Sequence, residues 1–425
     1  MPLNHQAHDG VRHLLVVGDE RDIVARARGL RPGLRTSVLC THQEARKMRT
    51  TDGHRRVVVV AADAPLEEWT AAARFVHEAE PVDRVVCYGE EGQAPAARIA
   101  LELGLPWHSP ETVRAVDDKR LMRERLAAAG VDDTPCLEAT TAEEVTAFGE
   151  RVGYPLVCKP GRGVGSQGVV RCEGPEDVAE KLRVTFAAAA GLPGSGVLVE
   201  PFHEGEEFSV ECLSEDGEHI ALCVTKKFLV PGRFVELGHV LPAPLPAGEE
   251  ERIVAAVKAA LDALGVREGA THTEVIAGED TVRIVETHLR QGGDRIPYLL
   301  REALGADIVA ALARQSIGVP SLGEVRDALE KAAGEPRSAA IWYAVPQAAG
   351  ELLEVRGAEE IKSRPGVCDV VIRSAPGDRL GPVTCSADRP AHVWAVADSP
   401  EAALDTVRGA VADLRFVVGV PGSLG

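Results

Sequence analysis

The chain has 425 residues, more than one hydrophobic core usually organises, so we expect two to four domains. Hydrophobic residues make up 45% and aromatic residues only 4%, as in a globular α/β protein packed on small side chains. The formal charge of −18, with so few aromatic side chains for base stacking, argues against a nucleic-acid-binding protein.

The cysteine pattern and the hydropathy of the chain indicate the cellular compartment in which the protein works. The nine cysteines are odd in number and form no C-x-x-C pair, which is typical of reduced thiols. The N-terminus lacks the apolar core of a signal peptide, and no stretch approaches the roughly 18 apolar residues of a membrane span. We therefore expect a cytoplasmic protein that works without a membrane.

Short apolar runs alternate with helical patterns in residues 1–113. The runs HLLVVG, TSVLC, RRVVVVAA and DRVVCYG are separated by helical segments. This order is typical of a Rossmann-like parallel α/β sheet. The helical segment from Lys119 to Gly130, which ends at the glycine, belongs to a new unit.

Strands and hairpins prevail in residues 114–320, which predicts an α+β domain. We expect strands at PLVCKP, VVRC, VLVEPF, EEFSVECLS and HIALCVTKKF, and helices at PEDVAEKLRVTFAAA and 250–264. From residue 321, a helix, the linker-like segment KAAGEPRSAA and the strands IWYAV and DVVIRS predict a small α/β lobe, residues 321–425.

A glycine-rich segment with glycines at 163, 165 and 168 lies between two of these strands. In a nicotinamide-dependent oxidoreductase the same G-x-G-x-x-G spacing opens a helix, so the strand that follows argues against that class. A strand, a glycine turn and a strand instead predict a hairpin lid whose N–H groups close over phosphates. Lys159 precedes the turn, where its ammonium suits a phosphate oxygen. An ordinary glycine-rich hairpin is the alternative.

Glu274 and Glu286 are equidistant from Asp280, which makes them partners if AGED is the turn of a hairpin. Their carboxylates then face the same side of adjacent strands and repel each other unless a cation lies between them. Oxygen ligands beside a triphosphate favour Mg²⁺. A solvated hairpin face with two coincidental glutamates is the alternative.

Arg290 follows the second glutamate by four positions, from which it can reach the reacting centre. Gly292 and Gly293 allow a close approach of backbone or substrate. Asp294 either faces a second substrate or caps a helix that begins at Arg295.

Together these motifs resemble the ATP-grasp superfamily, and within it the L-amino-acid ligases, from about residue 82 to 320. The resemblance implies a pre-ATP-grasp domain followed by an ATP-grasp domain with a lid at about 134–198. It also implies the nucleotide contacts. The phosphates would be contacted by Lys119, Lys159 and either Lys226 or Lys227, and covered by lid residues Gly163, Gly165, Ser166 and Gly168. The adenine would be contacted by Glu200, Phe202 and His203, and the ribose by Glu207.

The segment FVELGHVLPAP resembles the substrate motif of the ligase subgroup, which implies that Glu236 and His239 bind substrate together with Arg290, Gly293 and Asp294. A Glu and a His at this spacing are otherwise an ordinary satisfied pair. The family usually has Asn where this chain has His288, and imidazole binds Mg²⁺ poorly. Water then completes the metal shell, Mn²⁺ is tolerated, or His288 turns toward the substrate.

The implied reaction is ATP-dependent ligation of an amino acid, or a similar small acid, to an amine. The acid attacks the γ-phosphate, and the amine attacks the resulting acyl phosphate, with Lys159 and Arg290 stabilising charge. A biotin-carboxylase-like or purine-pathway enzyme that activates bicarbonate, and a non-catalytic ATP-binding regulator, are the alternatives. The resemblance is compatible with a homodimer.

Overall fold

The computed structural model describes residues 10–48, 51–163, 165–192 and 196–419. Its strands form four sheets of four, eight, three and four strands. None of the helices in these ranges has the length and apolar character needed to cross a membrane.

The N-terminal unit is a parallel four-stranded sheet in the order β3-β2-β1-β4. Alternate residues of its central strand β1 belong to two different hydrophobic clusters, so both faces of the sheet are covered. The predicted β-α-β order is confirmed. Its elements are β1 (His13–Val17), α1 (Arg21–Leu30), β2 (Arg35–Thr41), α2 (His42–Lys47), β3 (Arg56–Val60), α3 (Leu66–Ala79), β4 (Arg84–Val86), α4 (Gln93–Leu103) and α5 (Pro110–Asp117).

The lid is an antiparallel sheet in the order β5-β8-β6-β7 that packs against two helices. Asp118 caps the preceding helix α6 by accepting hydrogen bonds from the N–H groups of Arg120 and Leu121, which places Lys119 in its first turn. The elements are α6 (Lys119–Ala128), β5 (Leu137–Ala139), α7 (Ala142–Val152), β6 (Leu156–Pro160), β7 (Val170–Cys172), α8 (Pro175–Ala190) and β8 (Val197–Pro201).

The central unit contributes five antiparallel strands to the eight-stranded sheet. The face of α9 formed by Ile253, Val257, Leu261 and Leu264 is fully buried against this sheet, as the spacing predicts. The elements are β9 (Glu206–Glu215), β10 (Glu218–Leu229), β11 (Glu236–Leu241), α9 (Glu249–Leu264), β12 (Gly269–Ala277), β13 (Val282–His288), α10 (Ile296–Leu304) and α11 (Ile308–Ser316).

The C-terminal part extends the same sheet, because β14 pairs with β11 and is followed by β18 and β16. The boundary proposed near residue 320 thus divides a continuous sheet. The elements are α12 (Leu322–Gly334), β14 (Ser338–Tyr343), β15 (Gly350–Arg356), α13 (Ala358–Lys362), β16 (Val367–Ile372), β17 (Arg379–Leu380), a 3-10 helix (Ser386–Asp388), β18 (Ala391–Ala397), α14 (Pro400–Asp413) and β19 (Arg415–Gly419).

Candidate active site

A cleft of about 770 Å³ lies between the lid and the eight-stranded sheet. The structure brings together along its walls most of the nucleotide and metal residues expected from the sequence. These are Lys119, Lys159, Gly163, Gly165, Ser166, Glu200, Phe202, His203, Glu207, Glu274 and Glu286.

Glu274 and Glu286 lie directly opposite each other on β12 and β13, and both line the cleft. Ala277 pairs with Val282 across the turn, so regular pairing would bring Val285 opposite Glu274. A bulge next to Glu274 adds one residue to β13 and brings Glu286 to that position instead. The expected pairing of the two carboxylates therefore depends on this irregularity.

Each of the two carboxylates is paired with a buried ammonium. Lys227 Nζ lies 2.8 Å from Glu274 Oε2, and Lys119 Nζ lies 2.7 Å from Glu286 Oε2. Burial alone would raise the pKa of both glutamates, but the adjacent cations outweigh burial and lower it. Burial would likewise lower the pKa of both lysines, but the carboxylates outweigh it and raise it. All four groups are charged at neutral pH.

The donor set suits Mg²⁺ with a nucleotide bound. Two ionised carboxylates are hard oxygen ligands, and Mg²⁺ typically takes one or two of them and completes its shell with phosphate and water. Within the described ranges no three His, Cys, Asp or Glu side chains converge as a ready-made metal site.

Lys159 is held by Glu200 on the neighbouring strand β8. The Glu200 carboxylate accepts from Lys159 Nζ at 2.7 Å and from Arg123 Nε at 2.6 Å. Burial would raise the pKa of Glu200, but the two cations lower it to about 2. Burial lowers the pKa of Lys159, although Glu200 opposes this shift. Since its carboxylate is engaged in this way, Glu200 acts on Lys159 more directly than on an adenine ring.

Glu200→Gln is expected to lower the free energy of unfolding by about 3–5 kcal/mol at neutral pH, because it leaves two buried cations without their anion. The native pKa lies below the ordinary 4.5, so the carboxylate stabilises the fold above that pH and loses its effect as the pH falls toward 2. Denaturant unfolding of both proteins at several pH values measures this. Glu206→Gln, which removes an exposed partner of Lys226, is the control. A difference between Glu200→Gln and wild type that does not shrink on acidification would contradict the assignment.

The glycine-rich segment connects β6 and β7 as a hairpin, and it reaches the opposite wall of the cleft. Ser166 Oγ donates to the Phe234 carbonyl at 2.6 Å, and a Cβ on Gly165 would lie 3.9 Å from Ser386. Gly168 has a φ of +73°, and a Cβ there would overlap Ala188. The hairpin therefore lies in a closed position over the cleft.

The far end of the cleft contains the residues expected at the adenine and ribose. The Phe202 N–H donates to Pro155 O at 2.9 Å, and His203 Nε2 forms a hydrogen bond with Thr134 Oγ1 at 3.1 Å. Burial raises the pKa of Glu207, although Lys227 at 3.8 Å opposes this. Because the Phe202 N–H is engaged, a base can meet only its carbonyl and the backbone of His203.

The strand geometry distinguishes Lys226 from Lys227, the two lysines considered for the phosphate contact. Successive residues of β10 face opposite sides of the sheet, and Lys227 is the one that lines the cleft. Lys226 instead pairs with Glu206 and lies 5.8 Å from the centre of the Phe228 ring. Lys227, 2.8 Å from Glu274, is therefore the lysine that lies on the cleft side.

The segment with the predicted substrate residues is held by the C-terminal part of the chain. Ser386 Oγ donates to Glu236 Oε2 at 2.9 Å, and His239 Nε2 lies 3.0 Å from Asp294 Oδ2. Arg389 donates to both oxygens of Asp294, at 2.7 and 2.8 Å. Burial would raise the pKa of Asp294, but His239 and Arg389 lower it. Asp294 does not cap α10, so that expectation is wrong. Its contact with a substrate amine stays a prediction.

His288 and Arg290 both turn toward Glu90 of the N-terminal unit. His288 has Nδ1 2.8 Å from Glu90 Oε1 and Nε2 3.1 Å from Glu286 Oε1. Arg290 Nε lies 3.0 Å from Glu90 Oε2. Both ring nitrogens of His288 face carboxylate oxygens, so the side chain is placed as a donor to the acids and not as a metal ligand.

Of the two consecutive glycines, Gly292 is the one that makes a close contact. A Cβ on Gly292 would lie 2.8 Å from the Glu211 carboxylate, which also accepts from the Gly292 N–H at 3.1 Å. A Cβ on Gly293 would have no neighbour within 4 Å. Gly293 therefore leaves room beside the site, whereas Gly292 is required by close packing.

Sequence reasoning missed Glu90, Arg123 and Arg389. Glu90 follows the carboxyl end of β4, the edge at which parallel α/β sheets bind ligands, and this signal was available. Arg123 lies one helical turn after Lys119 on α6, which was a second signal. Nothing in the local sequence marks Arg389, because its role depends on the pairing of β14 with β11.

Comparison with known families agrees with this geometry. Residues 152–297 match the ATP-grasp domain family, and residues 342–419 match the L-amino acid ligase C-terminal domain 2. The chain contains an ATP-grasp domain and an L-amino-acid-ligase C-terminal domain. The ATP-grasp domain contains both paired glutamates, and the L-amino-acid-ligase C-terminal domain contains Arg389.

Relatives of this chain include a ligase and a synthase. Dapdiamide A synthase of Enterobacter agglomerans is 27% identical over 75% of this chain and 76% of its own length. Alanine–anticapsin ligase of Bacillus subtilis (strain 168) is 27% identical over 58% of this chain and 57% of its own length. The crystal structure of L-amino acid ligase from Bacillus licheniformis superposes with a TM-score of 0.80, covering 97% of this chain and 100% of that one at 23% identity. The last likeness establishes the shared fold.

Proposed function

We propose that this protein is an ATP-dependent carboxylate–amine ligase that joins an amino acid, or a similar small acid, to an amine through an acyl phosphate. The pairing of Glu274 and Glu286 beneath a closing glycine hairpin, with three lysines around them, carries the proposal. This arrangement suits a metal-bound triphosphate. The names of the ligase relatives favour the amide-forming reaction.

ATP enters the cleft with its phosphates toward the lysines. Lys119 and Lys159 contact the α- and β-phosphates, and Lys227 supplies a further charge near Glu274. Glu207 holds the ribose hydroxyls, and the backbone at Phe202 and His203 meets the adenine. Glycine N–H groups of the hairpin cover the phosphates and exclude water.

Glu274 and Glu286 would hold Mg²⁺. When bound, Mg²⁺ neutralises charge on the β- and γ-phosphates and orients them. The protein's part in the transfer is alignment, since phosphoryl transfer needs little covalent chemistry from side chains.

The acid's carboxylate attacks the γ-phosphate, and the amine then attacks the acyl phosphate. Arg290 stabilises the oxyanion that forms at the second step, from the position in which Glu90 holds it. Amide, ADP and phosphate leave.

A phosphate-release screen of paired amino acids, other small acids and amines tests the proposal, with mass spectrometry of the products. We expect phosphate release that requires both an acid and an amine, and a product with the mass of their amide. Incorporation of radiolabelled bicarbonate without any amide would instead favour the carboxylating branch of the superfamily.

Replacing Lys227 and Lys226 in turn tests the assignment of the phosphate contact to Lys227. Lys227→Met is expected to lower ATP turnover by roughly a hundredfold, because a charge beside the phosphates is lost. Lys226→Met, one residue away on the other face, should stay near wild type. Steady-state ADP release, with thermal unfolding as the folding check, gives the comparison. Equal effects of the two substitutions would contradict the assignment.

We further propose that the enzyme acts in the cytoplasm, on small molecules, as a homodimer. Light scattering coupled to size exclusion measures the oligomeric state.

A further inference from the structure

His239 has one ring nitrogen engaged and one without a partner. Its Nε2 lies 3.0 Å from Asp294 Oδ2, and because that carboxylate is ionised, Nε2 carries the proton and donates it. Nδ1 therefore bears a lone pair. This atom is buried and has no hydrogen-bond partner among the residues that the structure describes. The side chain as a whole is 3% exposed.

Asp294 is fixed in the orientation that keeps His239 in this state. Arg389 donates to both of its oxygens, and the same guanidinium donates to the Glu236 carbonyl at 3.1 Å. The Arg389 guanidinium lies over the Tyr343 ring, 3.7 Å from its centre. An anion held by a bidentate arginine is well suited to orient an imidazole and to stabilise it when it becomes charged.

Lys227 connects His239 to the proposed reacting centre. His239 pairs with Lys227 across β10 and β11, so the two side chains share a face of the sheet. Two strands, β10 and β9, separate His239 on β11 from Glu274 on β12. The Lys227 side chain spans this distance, because its Nζ lies 2.8 Å from Glu274 Oε2 and 3.6 Å from Glu236 Oε1 of the substrate segment.

We propose that His239 is the general base that deprotonates the attacking amine, with Asp294 and Arg389 as positioning residues. The inference rests on the proposed function. An amino acid's amine is largely protonated at neutral pH and has no lone pair for attack. Nδ1 takes one proton from the ammonium, the neutral amine forms the N–C bond, and the C–O bond to phosphate breaks. The second amine proton leaves with the phosphate.

Hydroxylamine in place of the acceptor amine separates deprotonation of the amine from activation of the acid. It is a neutral nucleophile at neutral pH, so its attack on the acyl phosphate needs no base. His239→Gln keeps a side-chain N–H donor toward Asp294 but removes the lone pair at Nδ1. With the amino-acid donor of highest turnover, we expect hydroxamate formation within a few fold of wild type. Amide formation with an amino-acid acceptor should fall by roughly a hundredfold or more.

The pH profile gives a readout that a purely structural role would not change. Raising the pH deprotonates the acceptor in solution, so the deficit of His239→Gln in amide formation should shrink while hydroxamate formation stays level. The charged or titratable groups around His239 include Lys227 from β10, Glu236 from β11, Asp294 before α10, and Arg389 with Tyr343 from the C-terminal part. Both lysine and tyrosine have a raised pKa, so they do not titrate in the same range.

Each outcome decides the inference. Equal loss of hydroxamate and amide, no loss of amide, or a deficit independent of pH would overturn it. Should His239→Gln fail to fold, Arg389→Lys replaces it in the test, because this substitution removes the two-point hydrogen bonding that fixes Asp294. It should slow amide formation more than hydroxamate formation, by a smaller factor than His239→Gln. His219→Gln, at a buried histidine bonded to Ser214, is the matched control for both reactions. Absence of acid-dependent hydroxamate in the wild type would instead refute the proposed function itself.

Discussion

Glu286→Gln should lower ATP turnover by roughly a hundred- to a thousandfold, with little change in the overall fold. The substitution keeps the shape of the side chain but removes the negative charge of Glu286. That charge belongs to the pair of carboxylates that would hold Mg²⁺, and it is also the ion-pair partner of Lys119. Glu274→Gln should act in the same direction, since it breaks the equivalent contact with Lys227. ADP release over a range of Mg²⁺ concentrations measures both effects.

The control for this pair lies in the same hairpin. Glu279 is exposed in the turn between β12 and β13, so Glu279→Gln removes a charge of the same kind without touching the cleft. It should turn over ATP as the wild type does. Either cleft variant retaining more than about a tenth of wild-type turnover, with unchanged Mg²⁺ dependence, would be incompatible with a metal held by these carboxylates.

Arg290→Ala should bind ATP normally but form amide roughly a hundredfold more slowly, the scale of losing one transition-state stabiliser. The guanidinium is held by Glu90 from the N-terminal unit, so Glu90→Gln should have a smaller effect in the same direction. Rapid-quench measurement of amide, together with nucleotide binding by calorimetry, separates catalysis from binding.

Arg301→Ala serves as the control for Arg290, because Arg301 pairs at the surface of α10 with Glu302. Its amide formation should equal that of the wild type. Near-normal amide formation in Arg290→Ala would remove this arginine from the reaction. A loss of ATP affinity equal to the loss of rate would assign it to binding.

Local pattern was sufficient for the elements that depend on neighbouring residues. The alternating strands and helices of residues 1–113, the apolar face of α9 and the presence of the β12–β13 hairpin all follow from short-range periodicity and turn chemistry, whereas the bulge that pairs Glu274 with Glu286 does not. The prediction of a linker at residues 331–340, which rested on composition, is wrong, because these residues complete α12 and begin β14. Only Glu335, Pro336 and Arg337 lie between the two elements.

The remaining features of the site depend on pairing between strands that are distant in the sequence. Lys226 and Lys227 could not be distinguished from sequence, because the face that each presents depends on the register of β10 within the sheet. Arg389 reaches Asp294 only because β14 and β18 extend the central sheet. A pattern read along the chain has no access to contacts between segments about a hundred residues apart.

Transfer of oxygen from the acid to phosphate tests the central claim most directly. With an acid labelled with oxygen-18 in its carboxylate, an acyl-phosphate mechanism leaves one labelled oxygen in each phosphate released, because the bond broken in the second step is the C–O bond to the phosphate. Mass spectrometry of the phosphate should find that label in step with amide formation. Unlabelled phosphate accompanying amide would contradict activation of the carboxylate by ATP in this cleft.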